Sequence, residues 1–368
     1  MQDSAAAPDR PRVPDWPASR GRSPMQDWPC RARSVGTRTR ILPPPRLSPL
    51  ASQERIVLLL AALAFAVFAL VLDGFATPAN LLNIVRGVSV LGVLAAGMGI
   101  VVIGRGIDLS MITVMVVSVA IELSLMHGGW STGGAALLTA AVVLGIGAMN
   151  GVIVAYGGVS ALFATLASAA FVFGFVRSQV LGQDVISIPP GATLLLDLGQ
   201  ARVLGLPPDV LVFAGVLAAA ALALRTLRAG RFLYLMGDNW QAARTMGIPV
   251  RPLTVLSYMA SALLAWVAGL ASAVSLQSVN TRVVNSGLLY DVVLVVVIGG
   301  IGLSGGKGGM RNVLAGALLI GILLNGMTIL NLPNIQQNLV KALILLGAII
   351  LESRLNPRDE QTSQQGDI

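Results

Sequence analysis

Residues 82–126 read LNIVRGVSVLGVLAAGMGIVVIGRGIDLSMITVMVVSVAIELSLM. Two apolar runs, Leu82 to Ile103 and Met111 to Met126, flank the short break GRGIDLS. An α-helix of about 20 apolar residues crosses a hydrocarbon core of roughly 30 Å, and it satisfies its own backbone polar groups where no water is at hand. Similar runs cover Ile56 to Leu72, Ala135 to Tyr156, Val159 to Gln179, Val210 to Leu224, Thr254 to Leu276, Val313 to Leu330 and Leu339 to Leu351. A shorter one covers Val292 to Ile301. Overall 55% of the 368 residues are hydrophobic and 11% are charged, with mean hydropathy +0.79; soluble domains carry about 25% charged residues. The sequence predicts an all-α integral membrane protein of about ten transmembrane helices with short interrupted segments.

The remaining chain divides around that domain. Residues 1–55 are rich in Pro and Arg without hydrophobic period, and we expect them to be a disordered tail. Their ten arginines against five acidic residues supply five of the eight net positive charges. No aromatic platform or nucleic-acid-binding module accompanies them, so no nucleic-acid partner is expected. Arginines before a first span hold that end in the cytoplasm. Residues 56–353 form the membrane domain, with a cytoplasmic loop at 225–253, and 354–368 form a second cytoplasmic tail. The loop between the sixth and seventh spans carries Arg225, Arg228, Arg231, Arg244 and Arg251 against Asp238, which agrees with both termini being inside. Cys30 lies in the tail, and the single histidine, His127, sits in a Gly-rich turn without the several ligands that a metal site needs.

Within that loop, residues 237–250 read GDNWQAARTMGIPV. Asp238 or Asn239 suits a helix N-cap, Gly247 suits the left-handed residue that ends a helix, and Pro249 prevents its resumption. A helix of about two turns is predicted, too short to stand without packing. It is either a cap over the ends of its own spans or a docking knob for a cytoplasmic partner.

These residues resemble a known family. GRFLYLMGDNWQAARTMGIPV, 230–250, is similar to the coupling segment of the permease subunits of ATP-binding-cassette importers for ribose, xylose, galactose and related compounds. VVIGRGIDLSMITVMVVS (101–118), NGVIVAYGGVSALFATLASAAFVFG (150–174) and VVLVVVIGGIGLSGGKG (292–308) resemble three further segments of that family, in the same order. The resemblance implies a type II-like importer permease without its own ATPase site. ATP and Mg would sit on partner ATPase subunits in the cytoplasm, this chain binding no cofactor. A soluble solute-binding protein would dock outside, and a second permease, identical or different, would complete the path in a bacterial inner membrane. It implies coupling to the ATPase through Asn239, Gln241, Ala242, Ala243 and Gly247. Two departures stand out: Gln241 replaces a frequent Glu, and Arg105 replaces a second glycine before Ile-Asp.

Ionisable residues within spans mark functional sites by default. Asp108 is expected to pair with Arg105 on one helical face. Glu122 has no evident partner, Lys341 is expected to reach the surface, and Asp291 is expected to face a vestibule. The glycine-rich breaks, with Gly106 and Asp108 in one and Gly299, Gly300, Gly305 and Gly306 in the other, are candidates for the gate or hinge. Gly106-Ile-Asp-Leu-Ser110 recurs as Gly300-Ile-Gly-Leu-Ser304, which points to an internal repeat around a transport path. Substrate-path candidates for a neutral polyhydroxylated solute are Asn150, Thr165, Ser168, Gln277, Asn280 and Asn325, with the acidic Glu122 and Asp291; Gly147 and Gly151 form a small-x-x-x-small pair suited to helix packing.

Gly300, Gly302 and Gly305 match a dinucleotide-binding pattern without its strand–helix context, and Gly306-Lys307 lacks the glycine and Ser or Thr of a phosphate-binding loop. The chain therefore reads as a transport subunit and not an ATPase. The rival reading is an ion-coupled secondary transporter using Glu122, Asp108 and Asp291. A purely structural membrane subunit is the third.

Overall fold

A computed structural model describes residues 53–179, 183–202 and 205–355. The expectation of disorder over 1–52 and the tail at 356–368 lie outside the described residues. Residues 53–55 are helical, because α1 runs Gln53–Val71 and opens three residues before its apolar run, and residues 354–355, expected in the C-terminal tail, close α13, which runs Asn334–Leu355.

The described chain is a helical bundle. After α1 come α2 (Pro78–Ile103), α3 (Met111–His127), α4 (Thr132–Ala155) and α5 (Ala161–Gln179). A strand β1 (Val185–Ser187) and a short α6 (Thr193–Gln200) precede α7 (Pro208–Thr226), α8 (Arg228–Asp238) and α9 (Trp240–Thr245). Then follow α10 (Val250–Leu276), β2 (Ser278–Asn280), a 3-10 turn (Thr281–Asn285), α11 (Leu288–Gly299), α12 (Met310–Ile329) and α13 (Asn334–Leu355). Seven of these, α1, α2, α4, α5, α7, α10 and α12, are long and apolar enough to cross a membrane, and α3, α11 and α13 are shorter apolar helices. The ten correspond one for one to the ten apolar runs.

Local chemistry sets the boundaries. Thr77 caps α2, its hydroxyl accepting from the Asn80 amide, with Pro78 at the first helical position. Phe75 is fully buried and rests on Phe65 and Phe68 of α1, at ring distances of 5.5 and 5.4 Å, which fixes the α1–α2 turn. Ser131 caps α4 through the Gly134 amide. Helix α13 begins at Asn334, five residues before the apolar run, since Pro333 starts the turn and a polar first turn does not interrupt a helix.

The centre of the bundle is α2, α3 and α10. Thirteen residues of α3 are buried around its whole circumference, so this helix is surrounded by protein rather than lipid. Helix α10 lies against α4, α2 and α3. Its approach to α4 depends on the small pair: a Cβ on Gly147 would lie 2.7 Å from Met259 Cα, and one on Gly151 would lie 2.5 Å from Val255 Cα. Close backbone approach of this kind is how helices adhere in lipid, where apolar burial gives no driving force.

The loops gather at two ends. At one end β1 pairs antiparallel with β2, Ile186 opposite Val279, and the His127 ring lies 3.0 Å from the Ser187 carbonyl oxygen. At the other end lie the α2–α3 break, α8, α9 and the segment 300–309.

Candidate functional site

The short polar helix forms as its residues dictate. Asn239 Oδ1 accepts from the Ala242 amide at 2.9 Å, α9 runs Trp240–Thr245, and Gly247 closes it at φ 78°. Ala243 is fully buried and pins the helix to its neighbours, while Gln241, Ala242, Arg244, Thr245 and Met246 are exposed. Arg244 lies over the Trp240 ring, 5.6 Å from its centroid. Before it stands α8, a helix the apolar pattern does not announce. Leu233 and Met236 are buried and Arg228 and Arg231 exposed, so α8 lies along the bundle end as an amphipathic strip.

The end of α8, which leads directly into α9, is fastened to both glycine-rich breaks. Gly237 sits against the carbonyl of Ile103 and the backbone of Gly306, where a Cβ would collide with both. The Gly306 amide donates to Ile103 O at 2.9 Å. Arg105 Nε donates to Ser304 O at 2.9 Å and its Nη2 to Asp238 O at 3.0 Å. One guanidinium thus joins the α2–α3 break, the 300–309 segment and the last residue of α8, just before the α9 cap. Gly300, Gly305 and Gly306 take φ of 94°, 82° and 72°, which glycine adopts without penalty, and Gly299 ends α11 against the Asn312 carbonyl.

Arg105 itself sits at φ 68°. A left-handed residue other than glycine costs roughly 1–2 kcal/mol, a cost that Arg105 bears and that glycine would not. The same turn corrects the expected Arg105–Asp108 pair. Helix α2 has ended at Ile103, so the two residues do not share a helical face, and Asp108 has other partners.

Asp108 is buried at the head of α3. Its Oδ1 accepts from the Ser110 amide at 3.0 Å and the Ser110 hydroxyl at 2.6 Å, and its Oδ2 accepts from the Ser261 hydroxyl of α10 at 2.8 Å. Asn150 of α4 donates to Ser110 Oγ at 2.9 Å. Tyr258 of α10 donates to Ile107 O at 3.2 Å, and Thr165 of α5 accepts from the Leu109 amide at 3.1 Å. Four helices therefore meet on residues 107–110. Among the described residues, Asn150 Oδ1 and Ser168 Oγ are buried without a hydrogen-bond partner.

The other candidates lie elsewhere. Glu122, midway along α3 toward the opposite end, accepts from Trp266 Nε1 at 2.7 Å. Lys341 does not extend to the surface: it pairs with Asp291 at 2.8 Å, both side chains about a tenth exposed (11% and 9%). A long cationic side chain buried in a bundle takes the nearest carboxylate. Asn325 and Asn80 exchange two amide hydrogen bonds, each 2.9 Å, between α12 and α2. Gln277 ends α10 at φ 56°, and Asn280 caps the 3-10 turn through the Arg282 amide. Beside it the guanidinium of Arg282, hydrogen-bonded at 2.9 Å, and that of Arg177 hold Asp184 below the usual carboxylate range. Asn150, Thr165 and Asp108 thus form one cluster; Glu122, Asp291, Gln277, Asn280 and Asn325 do not join it. Ser110, Ser261, Tyr258 and Trp266 were not singled out from sequence, since single hydroxyl and indole groups on apolar helices carry no periodic signal.

The two glycine-rich segments lie side by side at the same end, but they differ: α3 starts directly after Ser110, whereas α12 starts at Met310, six residues after Ser304.

Residues 80–349 match the family described as "Branched-chain amino acid transport system / permease component". The chain belongs to this permease family. It is 33% identical over 308 residues to the ribose import permease protein RbsC of Escherichia coli (strain K12), covering 83% of this chain and 94% of that protein. The probable ABC transporter permease protein YphD of the same strain is 29% identical over 309 residues, 84% of this chain and 92% of that protein. The galactofuranose transporter permease protein YtfT is 30% identical over 282 residues, 76% of this chain and 80% of that protein. No solved structure gives a significant match. The permease is a multi-pass membrane protein and a transport component of the ABC importer type.

Proposed function

We propose that this permease forms the translocation path of an ATP-driven, binding-protein-dependent importer for a sugar or sugar-like polar solute. Its relatives named for ribose and galactofuranose support that substrate class. The observation that carries the mechanism is the fastening of the end of α8, directly ahead of α9, to both breaks through Gly237, Gly306 and Arg105. The exposed side of α9, Gln241, Ala242 and Met246, docks on a cytoplasmic ATPase subunit that holds the ATP and Mg. When the ATPase pair closes, α9 moves, and Arg105 and Gly306 transmit the shift to the heads of α3 and α12. Asp108 then acts as the latch that holds α3 to α10 and α4 until that shift arrives.

For the solute, unpaired Asn150 Oδ1 and Ser168 Oγ, with Thr165 nearby on α5, offer hydrogen-bonding groups without fixed charge, as a neutral polyol requires. Loaded binding protein meets the opposite end, built from β1, β2, α6 and the 3-10 turn. Both termini then lie in the cytoplasm, in keeping with the arginines of α8 and α9, and a second permease copy, identical or different, completes the path.

The ion-coupled reading loses its sites. Glu122, Asp108 and Asp291 each have a protein partner, Trp266, the Ser110–Ser261 pair and Lys341. Co-purification tests the proposal. An ATPase is expected to accompany the native chain and to be lost from Ala242→Arg, whose exposed position tolerates the side chain. An equal yield of ATPase with both would remove α9 as the coupling element.

A further inference from the structure

The end of the bundle that carries α8 and α9 contains a cavity of about 470 Å³ bounded by α1, α7, α8 and α12. Its wall has two parts. Leu217 and Ala221 of α7 and Leu314 of α12 present an apolar surface running toward the membrane interior. Arg225, Arg311, Tyr234 and Glu54 surround the other part.

Arg225 belongs to the last turn of α7 and Arg311 to the first turn of α12, so two arginines from different helices line one cavity. No ion pair joins either to an acidic residue among the described residues. Tyr234 lines the same wall, its hydroxyl committed to Gly308 O at 2.8 Å. Arg311 occupies an unfavourable place, because the first turn of α12 has no acidic residue and no side-chain cap, and a cation there opposes the helix dipole. An anion in the cavity would relieve that opposition and satisfy both arginines.

We propose that this cavity is a phospholipid site: Arg225 and Arg311 hold the phosphate of an anionic headgroup, and an acyl chain lies along Leu217, Ala221 and Leu314. Planar guanidinium groups bind phosphate oxygens bidentately, and basic pockets between membrane helices take anionic headgroups. A free phosphate would use the arginines but not the apolar wall. Two guanidiniums against the one carboxylate of Glu54 favour a negative headgroup over a zwitterionic one.

Native mass spectrometry of the full-length chain in detergent, titrated with phosphatidylglycerol, tests this. The Arg225→Gln/Arg311→Gln variant is expected to bind about 30-fold more weakly, while Arg225→Lys/Arg311→Lys keeps most of the binding. Arg228→Gln/Arg231→Gln, with the same charge change on exposed α8, is expected to bind as the native chain does. Equal weakening in that second pair would mean general surface attraction and overturn the site. Displacement of the lipid by inorganic phosphate at equal concentration would assign the cavity to a free anion and overturn the lipid. Phosphatidylethanolamine binding as tightly as phosphatidylglycerol would overturn the anionic preference. Should the double Gln variant not fold, Arg311→Gln alone, at an exposed first-turn position, carries the same comparison.

Discussion

Asp108 receives three hydrogen bonds, two from Ser110 and one from Ser261, in a place where water is excluded. Each donor left unpaired by its removal costs about 1–3 kcal/mol, less whatever the hydroxyls recover by rotating. Asp108→Ala is expected to lose about 3 kcal/mol of stability, and Asp108→Asn, which retains one acceptor oxygen, about half as much. Thermal unfolding in detergent measures both, and native-like melting of the alanine variant would show that the cluster holds nothing. At this scale the motif Ile-Asp-Leu-Ser was legible as chemistry, whereas its partners were not. Ser261, Asn150 and Tyr258 come from positions 40 to 153 residues away, and no spacing rule connects them. Arg105 is the instructive miss. Three residues from Asp108 in sequence, it is removed from it by a left-handed turn that ends the helix first.

Helix α9 is an element whose limits could be read in advance: cap at Asp238 or Asn239, of which the structure uses Asn239, and stop at Gly247 and Pro249. Only six residues long, it is marginal by itself, and its cap is worth about 1 kcal/mol. Asn239→Ala should therefore accelerate amide exchange across 240–247 and weaken ATPase co-purification, with the exchange of α10 unchanged. Unaltered exchange in 240–247 would mean that the buried Ala243 contact alone holds the helix. Helix α8 was invisible because a half-polar strip at the bundle end resembles a charged loop in composition. Likewise α11 begins at Leu288, ahead of the apolar run, since Tyr290 and Asp291 belong to the helix once Lys341 pairs with the carboxylate.

Across the whole molecule, α13 packs chiefly on α11, and the Lys341–Asp291 pair is the polar tie between them. Removing one partner of a buried pair costs about 3–5 kcal/mol because the other charge is stranded. Lys341→Leu and Asp291→Leu are each expected to lower the unfolding temperature strongly, and the double variant to lose clearly less than their sum. Strict additivity in that cycle would show that the pair does not couple the two helices.

Residue order alone settled the helical membrane architecture, the ten apolar segments, the short capped helix α9 and the family, because each rests on hydrophobic length, local backbone chemistry or motif order. Only the folded bundle decided which polar groups face one another: Asp108 with Ser261, Glu122 with Trp266, Asp291 with Lys341, and Arg105 bridging two distant loops. In an apolar interior a polar side chain bonds to whatever partner helix packing brings within about 3 Å, and that packing depends on small residues and helix crossings rather than on neighbours in the chain.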